Sequence, residues 1–175
     1  MKKFELTAET NVLLGRTLYR IRALRAFGDV DKGELGGFIE KETNLAHEGN
    51  AWVSGNAIVS GNARVSGNAW VSGNARVFNN AIVSGNAEIK QSSHYLVIGP
   101  IGSRDDLTTF FRSKALEIMV SCGCFFGTIK KFEEAVNKTH GDNQHGKVYR
   151  LAIEMARAQI DLTGEDETKS VEVEG

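Results

Sequence analysis

Residues 49–77 read GNAWVSGNAIVSGNARVSGNAWVSGNARV, one six-letter phrase repeated almost without change. Aligned by hexads, Val53, Val59, Val65, Val71, Val77, Val83 and Ile89 fall in one column. Ala51, Ala57, Ala63, Ala69, Ala75, Ala81 and Ala87 fall in a second. Gly-Asn fills the step between them, and Asn79-Asn80 replaces it once. Glycine enters a left-handed turn conformation freely, and asparagine is the next best residue for it. A period of six is no helix period, and it is far shorter than the repeat of a helical solenoid. It predicts short strands separated by turns. Three such sides close a triangular coil, with the branched column pointing inward and alanine filling the tight corner.

The third column, Trp52, Ile58, Arg64, Trp70, Arg76, Ile82 and Glu88, then points outward. Residues three hexads apart lie above one another, so Trp52 stacks over Trp70. Paired exposed tryptophans mark a contact surface. Trp52, Ile58, Trp70 and Ile82 are therefore expected either to form an oligomer interface or to be covered by another part of the chain. The hexads from 51 to 89 make little more than two coils. At about 4.8 Å per strand layer the stack is short, and both its ends need covers. Residues 1–48 supply a plausible β cap in RTLYRIRALRAFGDVDKGELGGFI, an alternating strand followed by a Gly-rich turn. Residues 49–91 are the coil.

Residues 92–161 abandon the repeat. HYLVIG and LTTFFR predict strands, and LEIMVSCGCFFG a third strand or a hairpin. TIKKFEEAVNKTH predicts a helix, with Ile129, Phe132 and Val136 at helical spacing and Thr128 fit to cap it. QHGKVYRLAIEMARAQI predicts a second helix with Val148, Leu151, Ala152, Met155 and Ala158 facing in. The expected unit is α+β, strands followed by two helices. Residues 162–175 are acidic and expected to be a solvated, disordered tail.

Candidate binding groups gather at the junctions of this unit. GPIGSRDD places Gly102, Ser103 and Arg104 in a turn whose N–H groups can face an anion. Thr109 and Arg112 lie on the next strand, and Thr128 opens a helix whose first N–H groups carry partial positive charge. His140, Asp142 and His145 flank the loop between the helices. Together these nine residues are expected to bind a small anionic ligand. The same loop with Cys122 and Cys124 also raises zinc and a Cys–His–Asp hydrolase. A CxC pair lacks the knuckle spacing that brings two thiolates to one ion, and a cysteine between Gly and Phe is commonly a small buried apolar residue. No metal, cofactor or catalytic residue is predicted.

Residues 19–57, YRIRALRAFGDVDKGELGGFIEKETNLAHEGNAWVSGNA, resemble a family of phage, prophage and gut-bacterial hexapeptide-repeat proteins often described as acyltransferases. LVIGPIGSRDDLTTFFR, VSCGCFFGT and THGDNQHGKVYRLAIEMA resemble a tail domain found on members of it. The resemblance covers about residues 3–160. It implies a mainly β fold, a short left-handed parallel β-helix with an N-terminal β cap and a C-terminal α+β domain. It also implies trimers, a mobile-element origin and a cytoplasmic site of action. The wider superfamily implies acyl transfer from CoA or acyl carrier protein, with a coil histidine as general base. Here the hexads from 51 to 89 hold no histidine, and His47 precedes them.

Bulk properties set the remaining bounds. Net charge is −1, but the last fifteen residues hold six acids and one lysine, which leaves the body at +4. That permits an anionic small ligand and is too weak for duplex nucleic acid. No apolar run reaches membrane-span length, MKKFELTAET turns polar too soon for a signal peptide, and two cysteines so close suit a reducing compartment. Three functions follow. The first is a non-enzymatic oligomer that binds a nucleotide-derived anion, as a phage protein would to sequester a host immune signal. The second is a structural or interaction scaffold. The third is an enzyme, an acyltransferase or a cysteine hydrolase.

Overall fold

In the computed structural model, which describes residues 2–163, three longer strands precede the repeats. They are β1 (Phe4–Leu13), β2 (Arg16–Ala23) and β3 (Leu35–Ile39). The repeats then give seven two-residue strands: β4 (Trp52–Val53), β5 (Ile58–Val59), β6 (Arg64–Val65), β7 (Trp70–Val71), β8 (Arg76–Val77), β9 (Ile82–Val83) and β10 (Glu88–Ile89). β4, β5, β6 and β7 each pair in parallel with the strand three hexads on, Trp52 opposite Trp70 and Val53 opposite Val71. Three walls result: β4–β7–β10, β5–β8 and β6–β9. β3 adds a layer to the second wall, and β2 and β1 continue that sheet beyond it.

The hexad assigns the inward, corner and turn roles in this coil. All six valines of the inward column and Ile89 are fully buried, and so are the corner alanines, with Ala87 at 2%. At the corner the chain must reverse within two residues. Gly55, Gly61, Gly67, Gly73 and Gly85 do so with φ between 62° and 69°, and Asn79 takes the same conformation at 61°. The alanine N–H then closes the turn on the serine carbonyl, as Ala57 does on Ser54 at 3.2 Å. Hydrogen bonds between layers, such as Trp52 N–H to Ala69 O at 2.9 Å, satisfy the rest of the backbone.

The outward column corrects the expected oligomer surface. Trp52 is fully buried and Ile58 is 6% exposed, so neither presents a face to a partner. Phe27 meets the Trp52 indole edge-on at 5.4 Å. Gly36 lies so close that a Cβ there would come within 2.7 Å of the same ring. The chain's own N-terminal segment covers this tryptophan. Trp70 remains half-buried and Ile82 is 44% exposed, on two different walls. Also at the start of the coil, the buried Lys3 ammonium donates to Ala51 O at 2.7 Å and lies 4.9 Å from the Phe27 ring centre.

Four antiparallel strands follow the coil in sequence order: β11 (Tyr95–Ile101), β12 (Asp106–Arg112), β13 (Ile118–Cys122) and β14 (Phe125–Thr128). Helices α1 (Ile129–His140) and α2 (Gln144–Gln159) complete the unit. Strand alternation sends Tyr95, Val97, Phe111 and Met119 into the core of the coil. Leu96, Ile98, Phe110 and Val120 pack instead on the helices. The sheet is thus a layer with an apolar load on both faces. Its seam with the coil is polar as well: Ile82 N–H donates to Thr109 Oγ1 at 3.2 Å, and Lys114 N–H to Asn86 O at 2.8 Å.

The buried face of α2 differs from the expected one. Tyr149, Ala152, Ile153 and Ala156 face in, with Ile160 just beyond the helix. Of the predicted set only Ala152 is among them; Val148 is half-buried, Leu151 and Met155 are 64% and 55% exposed, and Ala158 is exposed. Both stripes are equally periodic. The sheet selects the one whose alanines allow close approach and whose tyrosine ring reaches Phe132 in an edge contact at 5.5 Å. The acidic stretch from residue 164 onward lies outside the described residues.

Candidate functional site

The outer end of the C-terminal unit is built around Tyr149. Gly102 sits in the β11–β12 turn with φ 78°, and any side chain there would overlap the Tyr149 hydroxyl. This close approach seats the whole Gly102–Ser103–Arg104 turn against α2. The Tyr149 ring lies 5.7 Å from that of His140, which is itself 5.7 Å from His145. Cys122 Sγ, at the end of β13, is 3.7 Å from the Tyr149 hydroxyl and accepts from Thr108 Oγ1 at 3.2 Å. Asn143 caps α2 by accepting from Gly146 N–H at 3.0 Å, which fixes the approach of His145 to the cluster.

Burial, and then the Cys122 contact and the Asp106 charge, push the Tyr149 phenol up to about 12, with Arg104 opposing. Tyr149 is therefore a protonated donor throughout the physiological range. Arg104 is exposed and brings a permanent positive charge beside it. Guanidinium and imidazole N–H groups are hydrogen-bond donors suited to anionic oxygen atoms, while the phenol itself is covered by Gly102 and faces Cys122.

Gly102, Ser103, Arg104, His140 and His145 are thus brought together, and the remaining four expected ligand residues are placed otherwise. Asp142 is 99% exposed and pairs with Arg150 at 3.2 Å. Arg150 also donates to Gly141 O at 2.8 Å and to Asn137 Oδ1 at 3.1 Å, so this pair clamps the loop between the helices. Thr109 is 2% exposed and faces the coil. Arg112 is 1% exposed and pairs with Glu88 of the coil at 3.3 Å, out of reach of a ligand in solvent. Thr128 caps α1 by accepting from Lys131 N–H, and it lines a separate cleft of about 540 Å³ with Gly85 and Phe126. Sequence spacing could not separate these cases: Thr109 and Arg112 are three apart on β12, so alternation does not put them on one face, and each is buried by its own distant neighbours, Ile82 and Glu88. Tyr149 itself was missed: only its position four residues after His145 hinted at a shared helix face.

The groups named for the enzymatic alternatives have other neighbours among the described residues. Gly123 turns the chain with φ 56°, so Cys122 is half-buried beside the helices while Cys124 is exposed, and the two do not share a strand face. The contacts of Cys122 are a threonine and a tyrosine, and Asp142 is held by arginine. Among the described residues no group of three His, Cys, Asp or Glu side chains is arranged to hold a metal. His47 has both ring nitrogens engaged, Nδ1 accepting from Lys3 N–H at 3.2 Å and Nε2 meeting Glu42 Oε1 at 2.8 Å.

The YdcK beta solenoid repeat matches residues 51–67, 59–73 and 69–85. The segment is a β-solenoid repeat by sequence as well as by its stacked walls. Among curated proteins no match is found. No helix among the described residues is long and apolar enough to cross a membrane.

Proposed function

We propose that the chain is a non-enzymatic binding protein in which the C-terminal unit holds a small anionic ligand and the coil is its rigid mount. One observation carries this: a single buried tyrosine gathers the Arg104 turn, His140 and His145 from three separate segments. Arg104 supplies charge and the imidazoles hydrogen bonds and ring contacts, with Tyr149 as the packed support beneath them. Packing behind Tyr149 preorganises them, which lowers the cost of binding. The nucleotide-derived class fits this chemistry, since phosphate takes the donors and a base can stack on an imidazole. Sequestration of a host immune signal in the cytoplasm, by a protein of phage origin, belongs to the same proposal. So do left-handed winding, an end-covering role for residues 1–48, and threefold self-association through the wall bearing Ile82.

Isothermal titration with a panel of mono-, di- and cyclic nucleotides tests the site. At least one is expected to bind, and Arg104→Ala and His140→Ala each to weaken it at least about tenfold without shifting the thermal midpoint. Affinity untouched by both changes, binding by none of the panel, or turnover of the bound nucleotide would overturn it. A scaffold role is the second reading, favoured by the solvent-facing Leu151 and Met155 of α2.

A further inference from the structure

A second site of opposite chemistry lies on the wall formed by β4, β7 and β10. A cleft of about 500 Å³ is lined there by Trp70, the corner asparagines, the loop at Gly28–Asp29, Glu34, Glu88 and, from the C-terminal unit, Lys114. Asn50, Asn68 and Asn86 stand in successive layers and hydrogen-bond side chain to side chain, Nδ2 to Oδ1, at 3.3 and 3.4 Å. Each amide has two N–H groups and two lone pairs, and the ladder uses at most one of each. A row of spare donors and acceptors therefore repeats along the cleft every ~4.8 Å.

Three carboxylates, Asp29, Glu34 and Glu88, face one lysine, and Arg112 from beneath offsets only Glu88. An anion is disfavoured. The carboxylates are not arranged as metal ligands, and Glu34 already accepts from Asp31 N–H at 3.1 Å. What remains is an indole flanked by amides and carboxylates in a trough longer than one layer. An indole takes the C–H face of a pyranose ring; carboxylates and amide oxygens accept its hydroxyl protons, and amide N–H groups and Lys114 donate to its oxygens. The layer spacing is close to the length of one sugar unit in a chain. We infer that this cleft binds an uncharged saccharide of two or more units, with Trp70 as the platform and Asn50, Asn68 and Asn86 as the rail.

The chain has two tryptophans, of which Trp52 is fully buried, so a change in intrinsic fluorescence on titration reports Trp70. The full chain is titrated with cello-, malto- and N-acetylglucosamine oligomers of one to four units. Digalacturonate serves as the anionic counterpart and trilysine as a cationic peptide. One neutral series is expected to shift the emission, with affinity rising from monomer to trimer. Trp70→Leu and Asn68→Ala should each weaken binding, read by calorimetry, at least about tenfold. Nucleotide binding at the Tyr149 site should survive both changes, which separates failure here from failure there. No response to any neutral series up to millimolar concentration, tighter binding of digalacturonate or trilysine, or affinity that outlasts Trp70→Leu would overturn the assignment.

Discussion

Val65 and Tyr149 are both buried, for different kinds of reason. In the coil, position within the hexad decides the inward and corner columns: Ala63 and Val65 are at 0% while Arg64 between them is exposed. In the C-terminal unit Val148, the more apolar neighbour, is half-buried and Tyr149 goes in. The coil packs against copies of itself, so each residue meets the residue type it already has. The helix α2 packs against a sheet of unrelated sequence, and that surface chooses the face. Local information suffices for the first region and fails in the second.

Phe111 is the strongest test of how separate these regions are. It comes from β12 but lies fully buried in the core of the coil. Phe111→Ala should cost about 3–5 kcal/mol, as for large aromatic truncation in a core. Urea unfolding followed by Trp emission, which reports the coil, and by far-UV helix signal should shift together. Two separated transitions would show that the regions fold independently.

Lys3 tests the other end of the coil. Burial, with help from Arg25, pulls its ammonium down from 10.5 to about 8. Between those values the unfolded chain holds the proton and the folded one releases it, so stability contributed by this group rises with pH through that window. The wild-type urea midpoint should therefore climb, relative to Lys3→Met, from pH 8 towards 10. A difference that stays flat or falls would mean that Lys3 is solvated.

The smallest effect should come from the predicted but unused face of α2. Leu151→Lys and Met155→Lys remove apolar surface that faces solvent, and each should change stability by less than about 0.5 kcal/mol. A loss several times larger would mean that the two helix faces have been exchanged.

The repeat, its inward and corner columns and the Trp52–Trp70 register were legible because each follows from spacing alone. So were the two helices and the cap at Thr128. β1 was not legible: of FELTAETNVL only Phe4 is buried, and the strand is held largely by pairing with β2. At the candidate site the glycine turn and both histidines could be picked out by residue type. Arg112 misled, since an arginine at a strand end looks available until a coil with Glu88 closes over it. Tyr149 escaped because its importance rests on contacts with Gly102 and Cys122, far away in the chain.

Thr109 and Lys114 meet the last layer of the coil at one wall, through the Ile82 amide, and at one corner, through Asn86 O. The terminal unit is therefore seated in a fixed rotational phase. The coil of this chain can be lengthened with the seam intact only by whole turns, three hexads at a time. A lone extra hexad would swing the wrong wall under Thr109 and strand the amide of its strand without an acceptor.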